Sequence, residues 1–345
     1  MRTAVIGAGA MGTVIGALLT EGGYDVELID TYKEHVDAMN RNGVHIIGKA
    51  DRNIKVKAIS PGEVSGYYNL LLSLTKHSGI LSSLEAIKPH TCKDTIVLTL
   101  QNGLPEAKAA GIYPHENVFG GSMEFSATFK APGVTELTSG LETIAICFGS
   151  YDGPITDKVR KVKSVLDCVG KISITDNIKG IKWSKLTINA VFSGLPTALN
   201  CTVGDVLKDE KAMDVAVHLG RECANVIHGL GVDPVRIFAE FGTGMKPVPE
   251  RIGFYTEAEK EAVIKYWKAV EAPFVDLVPS MLQDIRRGKK CEVQDINGEF
   301  ARTGKRLGIE TPYMDKVIEC ILKLQNGEVA MEHAWEANLK AFDTL

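Results

Sequence analysis

The glycines near the N-terminus are the first residues whose spacing indicates a chemical role. Gly7, Gly9 and Gly12 follow the pattern G-x-G-x-x-G, directly after the apolar run at residues 3–6. In this pattern the first glycine permits a tight turn, the second lets the backbone approach a pyrophosphate, and the third lets helix and strand pack closely. The phosphates would bind at the N-terminus of the following helix, where N–H groups and the dipole favour negative charge. We therefore predict a dinucleotide site formed by six consecutive residues: Gly7, Ala8, Gly9, Ala10, Met11 and Gly12.

A carboxylate at the end of the second predicted strand indicates which dinucleotide this is. Asp30 lies 23 residues after Gly7, close to the spacing of roughly 20 residues at which an acid binds ribose hydroxyls. A carboxylate in this place repels the 2′-phosphate of NADP(H). Lys33 could still meet a phosphate, although a solvated lysine at the start of a helix is the simpler interpretation. The sequence thus favours NAD(H) over NADP(H).

A second set of candidate residues lies in the C-terminal half. Lys185, Asn189 and Ser193 are spaced i, i+4 and i+8, which places them on one face of a predicted helix among largely apolar neighbours. Such a stripe is either a solvated helix edge or the wall of a cleft, and clefts between domains are where small-molecule sites form. Ser280 and Glu292 are further candidates, although Ser280 could simply cap a helix and Glu292 could be an acid of a first helical turn.

Alternating strand and helix patterns predict that the N-terminal half is a doubly wound α/β sheet. Ligands of such sheets bind outside the carboxyl ends of the strands. Lys76 and the turn Gln101-Asn102-Gly103 fall at such ends, on the same edge as the glycine loop. Each is more simply a loop residue when taken alone, but their joint placement favours a site. The predicted strands are residues 3–6, 24–30, 69–75, 95–100, 118–121, 142–148 and 171–175, with helices at 13–19, 34–40, 81–87 and 156–169.

The strand pattern disappears at about residue 176. Helices are predicted from there on at residues 181–199, 211–228, 258–270, 274–287, 293–307 and 314–324, with a glycine- and proline-rich loop at 242–256. We therefore expect a Rossmann-like dinucleotide-binding domain in residues 1–178 and an all-helical domain in residues 179–345.

Composition is that of a globular protein of two domains, with 345 residues, 45% of them hydrophobic and 24% charged. A formal net charge of −4 without basic runs argues against a nucleic-acid surface, and no apolar stretch is long enough for a membrane span. The seven scattered cysteines and the eight dispersed histidines form no metal-binding pattern. The odd number and scatter of the cysteines indicate that they are reduced thiols. Because the N-terminus enters the first strand at once, we expect no targeting peptide and a cytoplasmic location.

In chain order, these residues resemble the ketopantoate reductase family. The resemblance rests on the glycine loop, Lys76, Gln101-Asn102-Gly103, Gly120-Gly121, the turn Ala131-Pro132-Gly133, Lys185-x-x-x-Asn189, Ser280-Met-Leu-Gln-Asp and Glu292-x-x-x-Ile-Asn297-Gly298. It runs through nearly the whole chain, and its specific part is the Lys185 helix together with the segment from Ser280 to Glu292. It implies a helical domain that closes over a nicotinamide cofactor and binds substrate, a homodimer, and reduction of a 2-oxo acid to the (R)-2-hydroxy acid.

The resemblance also implies individual roles. Lys185 matches the catalytic lysine that protonates the carbonyl oxygen as hydride arrives, and Glu292 matches the acid that helps to hold this site. An ammonium stabilises and protonates the developing oxyanion, and a nearby carboxylate keeps the lysine charged. The residues implied in substrate binding are Asn102, Asn189 and Ser280, with Ser193 at a further substrate position. The residues implied near the cofactor are Lys76 and Asn102, in addition to the glycine loop and Asp30.

Two positions depart from the family pattern. Ser193 stands where many members have a second asparagine that binds polar groups of ketopantoate, and Asp30 is unusual because most members look built for NADPH. Sequence is also added near residues 242–272. A branched or aromatic 2-oxo acid without the terminal hydroxyl of ketopantoate would fit these changes, and ketopantoate itself (2-dehydropantoate) stays an alternative, as does a D-2-hydroxy acid dehydrogenase.

Two other classes of protein share part of the pattern. A 3-hydroxy acid or glycerol-phosphate type dehydrogenase has the same two-domain plan but gives Glu292 and Ser280 no role. A non-enzymatic dinucleotide sensor would be expected to have lost the catalytic lysine, whereas Lys185 is present.

Overall fold

The computed structural model describes residues 1–235 and 252–345 of the chain. These divide into two compact units, Met1–Ile178 and Lys179–Leu345. The predicted loop at residues 242–256 and the added sequence near residues 242–272 lie partly outside the described residues, so only their portions from residue 252 onward are considered below.

Twelve strands and five helices form the first unit. The strands are β1 (Thr3–Ile6), β2 (Val26–Ile29), β3 (Val44–Gly48), β4 (Arg52–Ile54), β5 (Lys57–Ile59), β6 (Tyr68–Ser73), β7 (Thr91–Thr99), β8 (Val118–Glu124), β9 (Ala127–Ala131), β10 (Val134–Leu137), β11 (Ala145–Ser150) and β12 (Lys171–Ile174). The helices are α1 (Ala10–Glu21), α2 (Lys33–Asn42), α3 (Ile80–Ile87), α4 (Glu106–Ala110) and α5 (Asp157–Leu166).

Eight of these strands form one sheet in the order β12-β11-β8-β7-β6-β1-β2-β5. All neighbours are parallel except β8 and β11, which are antiparallel. Every residue of β1 and β2 is buried, as expected for central parallel strands covered on both faces. Buried apolar side chains of α1 and α5 pack on one face of the sheet, and those of α3 and α4 pack on the other. The predicted doubly wound α/β class is therefore confirmed.

A second sheet of four strands, in the order β4-β3-β10-β9, was not predicted. Its strands are short, and β4 and β9 are largely exposed, so the alternation of apolar and polar residues is weak. The pairing of β3 with β10 joins segments about 90 residues apart, as in Val134 beside His45. The chain turns from β9 into β10 at Pro132 and Gly133, whose φ of +77° suits a residue without a side chain.

The second unit is helical throughout its described residues, which confirms the predicted class. Its helices are α6 (Ile178–Asn189), α7 (Leu195–Leu199), α8 (Val203–Lys208), α9 (Glu210–Gly229), α10 (Glu257–Glu271), α11 (Ser280–Arg286), α12 (Val293–Leu307), α13 (Pro312–Gln325) and α14 (Ala334–Lys340). A π-helical segment, Ala190–Gly194, joins α6 to α7. Among the described residues, no helix combines the length and apolar character that crossing a membrane requires.

Three details of the helical prediction were wrong or missing. The helix predicted from residue 274 begins only at Ser280, because Pro279 interrupts the predicted range and a residue before proline disfavours the helical conformation. The short helices α8 and α14 were not predicted. The first of them depends on a capping box between Thr202 and Asp205, where the Asp205 backbone N–H donates to the Thr202 hydroxyl at 3.2 Å.

Candidate active site

The three glycines of the N-terminal loop have different surroundings. Gly7 has a φ of +90°, and a methyl group added to it would lie 2.7 Å from the backbone nitrogen of Thr75. A methyl group on Gly12 would lie 2.2 Å from the carbonyl oxygen of Gly7. By contrast, no atom of the described residues lies within 4 Å of a methyl group on Gly9. The first and third glycines are therefore packed against protein, while the second borders open space.

Helix α1 begins at Ala10, immediately after Gly9, and its N-terminus has no capping side chain and no acid in its first turn. An uncapped N-terminus beside an open backbone position is the arrangement that binds the phosphates of a dinucleotide. The first unit thus fits a pyrophosphate at the loop from Gly7 to Gly12. The remaining loop residues, Ala8, Ala10 and Met11, contribute backbone to the same turn.

The strand register brings the other candidate residues of this unit to the same edge of the sheet. Ile6 is level with Ile29 on β2 and with Ser73 on β6, and Ser73 is level with Thr99 on β7. The residues that follow these strand ends are Asp30, Gly7, Lys76 and Asn102, as the sequence predicts. Carboxyl ends of neighbouring strands are where open α/β sheets bind ligands.

Asp30 is held by the chain that follows it. Its Oδ1 accepts a hydrogen bond from the backbone N–H of Tyr32 at 2.9 Å, and the residue is half-buried. Lys33 pairs with Asp37 at 2.9 Å on the exposed face of α2. Lys33 therefore has the solvated position that the simpler interpretation of the sequence assigned to it.

The loop after β6 contributes residues that sequence reasoning missed. The Thr75 hydroxyl is buried and has no hydrogen-bond partner among the described residues, and the Thr75 backbone is the nearest neighbour of Gly7. His77 Nε2 lies 2.6 Å from the carbonyl oxygen of Asn102, and Lys108 Nζ lies 3.2 Å from His77 Nδ1. His77 thus connects the loop after β6 with the Asn102 turn, while Lys76 and Asn102 themselves are exposed. No spacing pattern in the sequence indicates this connection.

The glycine pair at 120 and 121 has a packing role in the same region. A methyl group on Gly120 would lie 2.8 Å from Glu106 Oε1, and one on Gly121 would lie 2.6 Å from Leu100. The Glu106 carboxylate is buried and accepts a hydrogen bond from the Thr99 hydroxyl at 2.8 Å. Both glycines therefore make room for the polypeptide that follows β7.

In the second unit, the predicted polar stripe lies on one face of a buried helix. Lys185, Asn189 and Ser193 are partly exposed, whereas every other residue from 182 to 199 is buried. The predicted common face is therefore confirmed, and the stripe is not the broad solvated edge of a surface helix. In general, a lysine on such a face packs its aliphatic stem among apolar residues.

A buried asparagine supports the π-helical segment at the end of this stripe. Asn297, which is fully buried in α12, donates from Nδ2 to the carbonyl oxygen of Ala190 at 2.9 Å. A methyl group on Gly194 would lie 2.6 Å from the same Nδ2. Because π-helical turns leave carbonyl groups out of the α-helical pattern, a side-chain donor at this point stabilises the turn. Asn297 belongs to a quoted motif, but sequence reasoning gave it no role.

The last two candidate residues, Ser280 and Glu292, lie at the starts of two helices of the second unit, α11 and α12. Helices α11 and α12 both pack against the π-helical segment. Ser280 is the exposed first residue of α11, whose N-cap is Pro279 and has no side-chain cap, so interpreting Ser280 as a helix cap is wrong. Glu292 is half-buried at the N-cap of α12, and its side chain does not cap that helix either. Neither side chain therefore caps its helix.

The described residues contain no group of three or more His, Cys, Asp or Glu side chains arranged as metal ligands. The candidate residues offer backbone amides, the ammonium groups of Lys76 and Lys185, side-chain amides and hydroxyls, and the carboxylates of Asp30 and Glu292.

Comparison with known proteins gives consistent matches over nearly the full length. Residues 3–151 match the family model "Ketopantoate reductase PanE/ApbA", and residues 177–325 match its C-terminal model, "Ketopantoate reductase PanE/ApbA C terminal". The chain is 25% identical to a 2-dehydropantoate 2-reductase of Streptococcus pyogenes over 93% of its own length and 97% of the relative. It is 28% identical to the Pyrococcus abyssi protein of the same name, over 90% and 94%.

A solved structure of D-mandelate dehydrogenase with NADH and anilino(oxo)acetate is also similar. It is 25% identical, with a TM-score of 0.80 over 95% of this chain and 99% of the other.

Proposed function

Because this chain belongs to the ketopantoate reductase family, we propose that it reduces a 2-oxo acid to the (R)-2-hydroxy acid with hydride from NADH. Membership of the family makes it an oxidoreductase of 2-oxo acids. The hydride donor, the general acid and the configuration of the product are the parts that we add. The observation that carries the proposal is the polar stripe of Lys185, Asn189 and Ser193 on a helix that is otherwise buried.

We assign the dinucleotide to the first unit, where the residues present fit it. Gly9 leaves room for the pyrophosphate, and the N-terminus of α1 offers N–H groups to it. Asp30 is oriented by its bond to Tyr32 and supports NADH over NADPH, because a carboxylate binds ribose hydroxyls and repels a 2′-phosphate. Lys76 and Asn102 follow strands of the same edge and complete the cofactor assignment. When bound, the nicotinamide supplies the hydride.

We assign the proton to Lys185. Negative charge builds up on the carbonyl oxygen of the substrate as its carbon is reduced, and an ammonium group within hydrogen-bond reach stabilises that charge and donates the proton. Glu292 acts as the carboxylate that keeps Lys185 charged and oriented. Asn102, Asn189 and Ser280 supply neutral hydrogen-bond donors for the carboxylate and carbonyl groups of the substrate.

For the substrate, we favour a branched or aromatic 2-oxo acid without the terminal hydroxyl of ketopantoate. Ser193 is shorter than the asparagine that the family commonly has there, so it reaches less far towards a polar side chain. A D-mandelate dehydrogenase crystallised with NADH is among the similar structures, and this supports both the substrate class and the donor. The names of the curated relatives favour 2-dehydropantoate as the alternative. We also expect a homodimer, which light scattering of the purified protein would test.

Gly9→Ala tests the dinucleotide site without disturbing the protein itself. Since no described atom lies within 4 Å of the new methyl group, thermal stability should not change. The methyl occupies space that the pyrophosphate needs, so the affinity for NADH should fall about 10- to 100-fold. Gly62→Ala is the matched control, because Gly62 is equally open and lies in the turn after β5, outside the glycine loop. Equal NADH affinity in the Gly9 variant and the wild type would contradict the assignment.

A steady-state panel of 2-oxo acids, with NADH and NADPH in parallel, tests substrate and donor. We expect higher kcat/KM for branched or aromatic acids than for ketopantoate, with NADH preferred. A ketopantoate optimum would mean that Ser193 does not exclude this substrate, and a strong NADPH preference would overturn the interpretation of Asp30.

Lys185→Ala tests the general acid. We expect kcat to fall about 100- to 10,000-fold while the affinity for NADH stays unchanged, because positioned proton transfer contributes that much to a rate. Lys208→Ala, at an exposed position at the end of α8, is the control for the loss of one positive charge. Unimpaired turnover of every 2-oxo acid by the Lys185 variant would refute the mechanism.

A further inference from the structure

A buried histidine connects three segments of the first unit. His35, in α2, is only 1% exposed. Its Nε2 lies 2.8 Å from the carbonyl oxygen of Ala8 in the glycine loop. Its Nδ1 lies 2.9 Å from the backbone nitrogen of Gly133, which is 98 residues away in the turn between β9 and β10. The residue therefore contacts the glycine loop from one side of the ring and the small sheet from the other.

The partners determine the protonation of the ring. The Gly133 N–H group donates to Nδ1, so Nδ1 carries no hydrogen and the imidazole is neutral. The single hydrogen is then on Nε2, which donates to the Ala8 carbonyl. The Thr13 hydroxyl donates to the same carbonyl oxygen at 2.7 Å. Two buried donors thus hold the Ala8 carbonyl group in one direction.

Holding that carbonyl also fixes the next N–H group. In a trans peptide the C=O of one residue and the N–H of the next point in opposite directions. The Gly9 N–H therefore points away from His35 and Thr13. Glycine at position 9 would otherwise let this peptide plane turn over, since glycine occupies many backbone conformations at little cost. A turned peptide would present a carbonyl oxygen where an amide hydrogen is needed to bind an anion.

We propose that His35 is a positioning residue for the cofactor, which orients the Ala8–Gly9 peptide so that the Gly9 N–H binds the pyrophosphate of the dinucleotide. The inference rests on the function proposed above. It also gives a role to the turn Ala131-Pro132-Gly133, which supplies the N–H that fixes the tautomer of His35. The adjoining strand β10 contacts the start of α1 as well, where the Thr135 hydroxyl lies 3.3 Å from the Ala10 carbonyl.

Two substitutions separate the contacts of His35. Asparagine places an acceptor near the position of Nδ1 and retains the bond from Gly133, but it cannot reach Ala8. Glutamine places an amide donor near the position of Nε2 and retains the bond to Ala8. The control is Thr95→Val, which is isosteric and removes two hydrogen bonds of the same sheet: Thr95 Oγ1 accepts from the Cys92 backbone N–H and donates to the Tyr68 carbonyl oxygen, both at 2.7 Å. The three variants and the wild type are compared by fluorescence titration with NADH, thermal unfolding without cofactor, and steady-state kinetics.

For His35→Asn we expect the Kd for NADH and the KM for NADH to rise about tenfold, since one neutral hydrogen bond contributes roughly this factor. The kcat and the KM for the 2-oxo acid should change less than about twofold. His35→Gln should recover most of the affinity, and Thr95→Val should lose thermal stability at unchanged Kd.

Equal NADH affinity in His35→Asn and wild type would overturn the inference, as would an equal loss of affinity in Thr95→Val. A wild-type protein that binds neither NADH nor NADPH would instead refute the proposed function.

Discussion

Glu222 of the second unit makes the stability of the helical unit depend on pH. Its carboxylate lies in α9, is 4% exposed, and accepts hydrogen bonds from the backbone N–H groups of Tyr313 and Met314, both at 2.8 Å. These two N–H groups belong to the first turn of α13. Met314 in turn contacts Asn297 through its sulfur, 3.2 Å from Nδ2. Glu222 therefore anchors the first turn of α13, a helix that contacts the π-helical segment.

The magnitude follows from the difference between the pKa of Glu222 in the folded and unfolded chain. Burial raises the pKa of this carboxyl from 4.5 to about 7, although the two backbone hydrogen bonds oppose the rise. A carboxyl whose pKa is raised by folding stabilises the folded state in its protonated form. Its contribution is complete below pH 4.5 and is lost as the pH rises towards 7. At about 1.4 kcal/mol per pH unit, the free energy of unfolding falls by about 2.5 kcal/mol between pH 5 and pH 8.

The assay is urea unfolding at pH 5 and pH 8, followed by tryptophan fluorescence. All three tryptophans, Trp183, Trp267 and Trp335, lie in the second unit, so the signal reports on that unit alone. Glu222→Gln removes the titration while keeping one acceptor for the helix N–H groups. Relative to this variant, the wild type should lose about 2.5 kcal/mol on going from pH 5 to pH 8. Other titrating groups, His218 among them, cancel in the comparison.

The control is Glu319→Gln, which removes an acid from the outer face of α13. The hydrogen bond from Lys323, followed by that from Lys316, lowers the pKa of Glu319 to about 2. Its contribution therefore has the opposite sign, since it is present above the ordinary carboxyl pKa and is lost as the pH falls. The reasoning would be refuted if wild type and Glu222→Gln gave parallel stability profiles from pH 5 to pH 8.

Three further substitutions test features of the two units. Gly12→Ala places a methyl group 2.2 Å from the Gly7 carbonyl oxygen. Thermal unfolding should show a loss of about 1–3 kcal/mol of stability, and titration should show a loss of NADH binding. Unchanged binding would contradict the close packing of loop and helix. Asn297→Ala leaves the buried Ala190 carbonyl without its donor. The free energy of unfolding, measured by tryptophan fluorescence, should fall by about 1–3 kcal/mol, and kcat should fall too. Full activity would mean that the π-helical segment needs no such support. Glu27 is buried between Arg2, at 2.9 Å, Lys57 and Tyr68. Glu27→Gln should therefore lower the free energy of unfolding by about 3 kcal/mol, as measured by urea unfolding followed by tyrosine fluorescence. Loss of NADH affinity without loss of stability would contradict a purely structural role.

The parts of the fold that sequence could predict are those determined by local patterns. The unit from β1 through α1 to β2 combines an apolar run, a glycine turn and a helix within 30 residues, and its elements fall where the pattern places them. The stripe of Lys185, Asn189 and Ser193 is also local, because helical periodicity alone puts these residues on one face. The edge that gathers Asp30, Gly7 and Lys76 follows from the general rule for parallel sheets.

The parts that could not be predicted depend on contacts between distant segments. The small sheet exists because β3 pairs with β10, and neither strand has a strong pattern of its own. His35 meets Gly133 across 98 residues, and Asn297 meets Ala190 across 107. A histidine in an amphipathic helix and an asparagine before a glycine give no local sign of such partners. The interpretation of Ser280 as a helix cap was wrong for a different reason, since the proline before it takes the cap position that serine favours.

The eight-stranded sheet ends in two very short strands, and this affects how the chain behaves beside other chains. The edge strand β5 has three residues and β12 has four, and each begins with a lysine, Lys57 and Lys171. An exposed edge is a template for a strand of another molecule, and shortness and charge are the features that prevent such pairing. The longer strands β6 and β7, which are buried at residues 70–73 and 95–99, lie inside the sheet. The order of the strands thus protects these apolar segments from intermolecular β-pairing in the folded state.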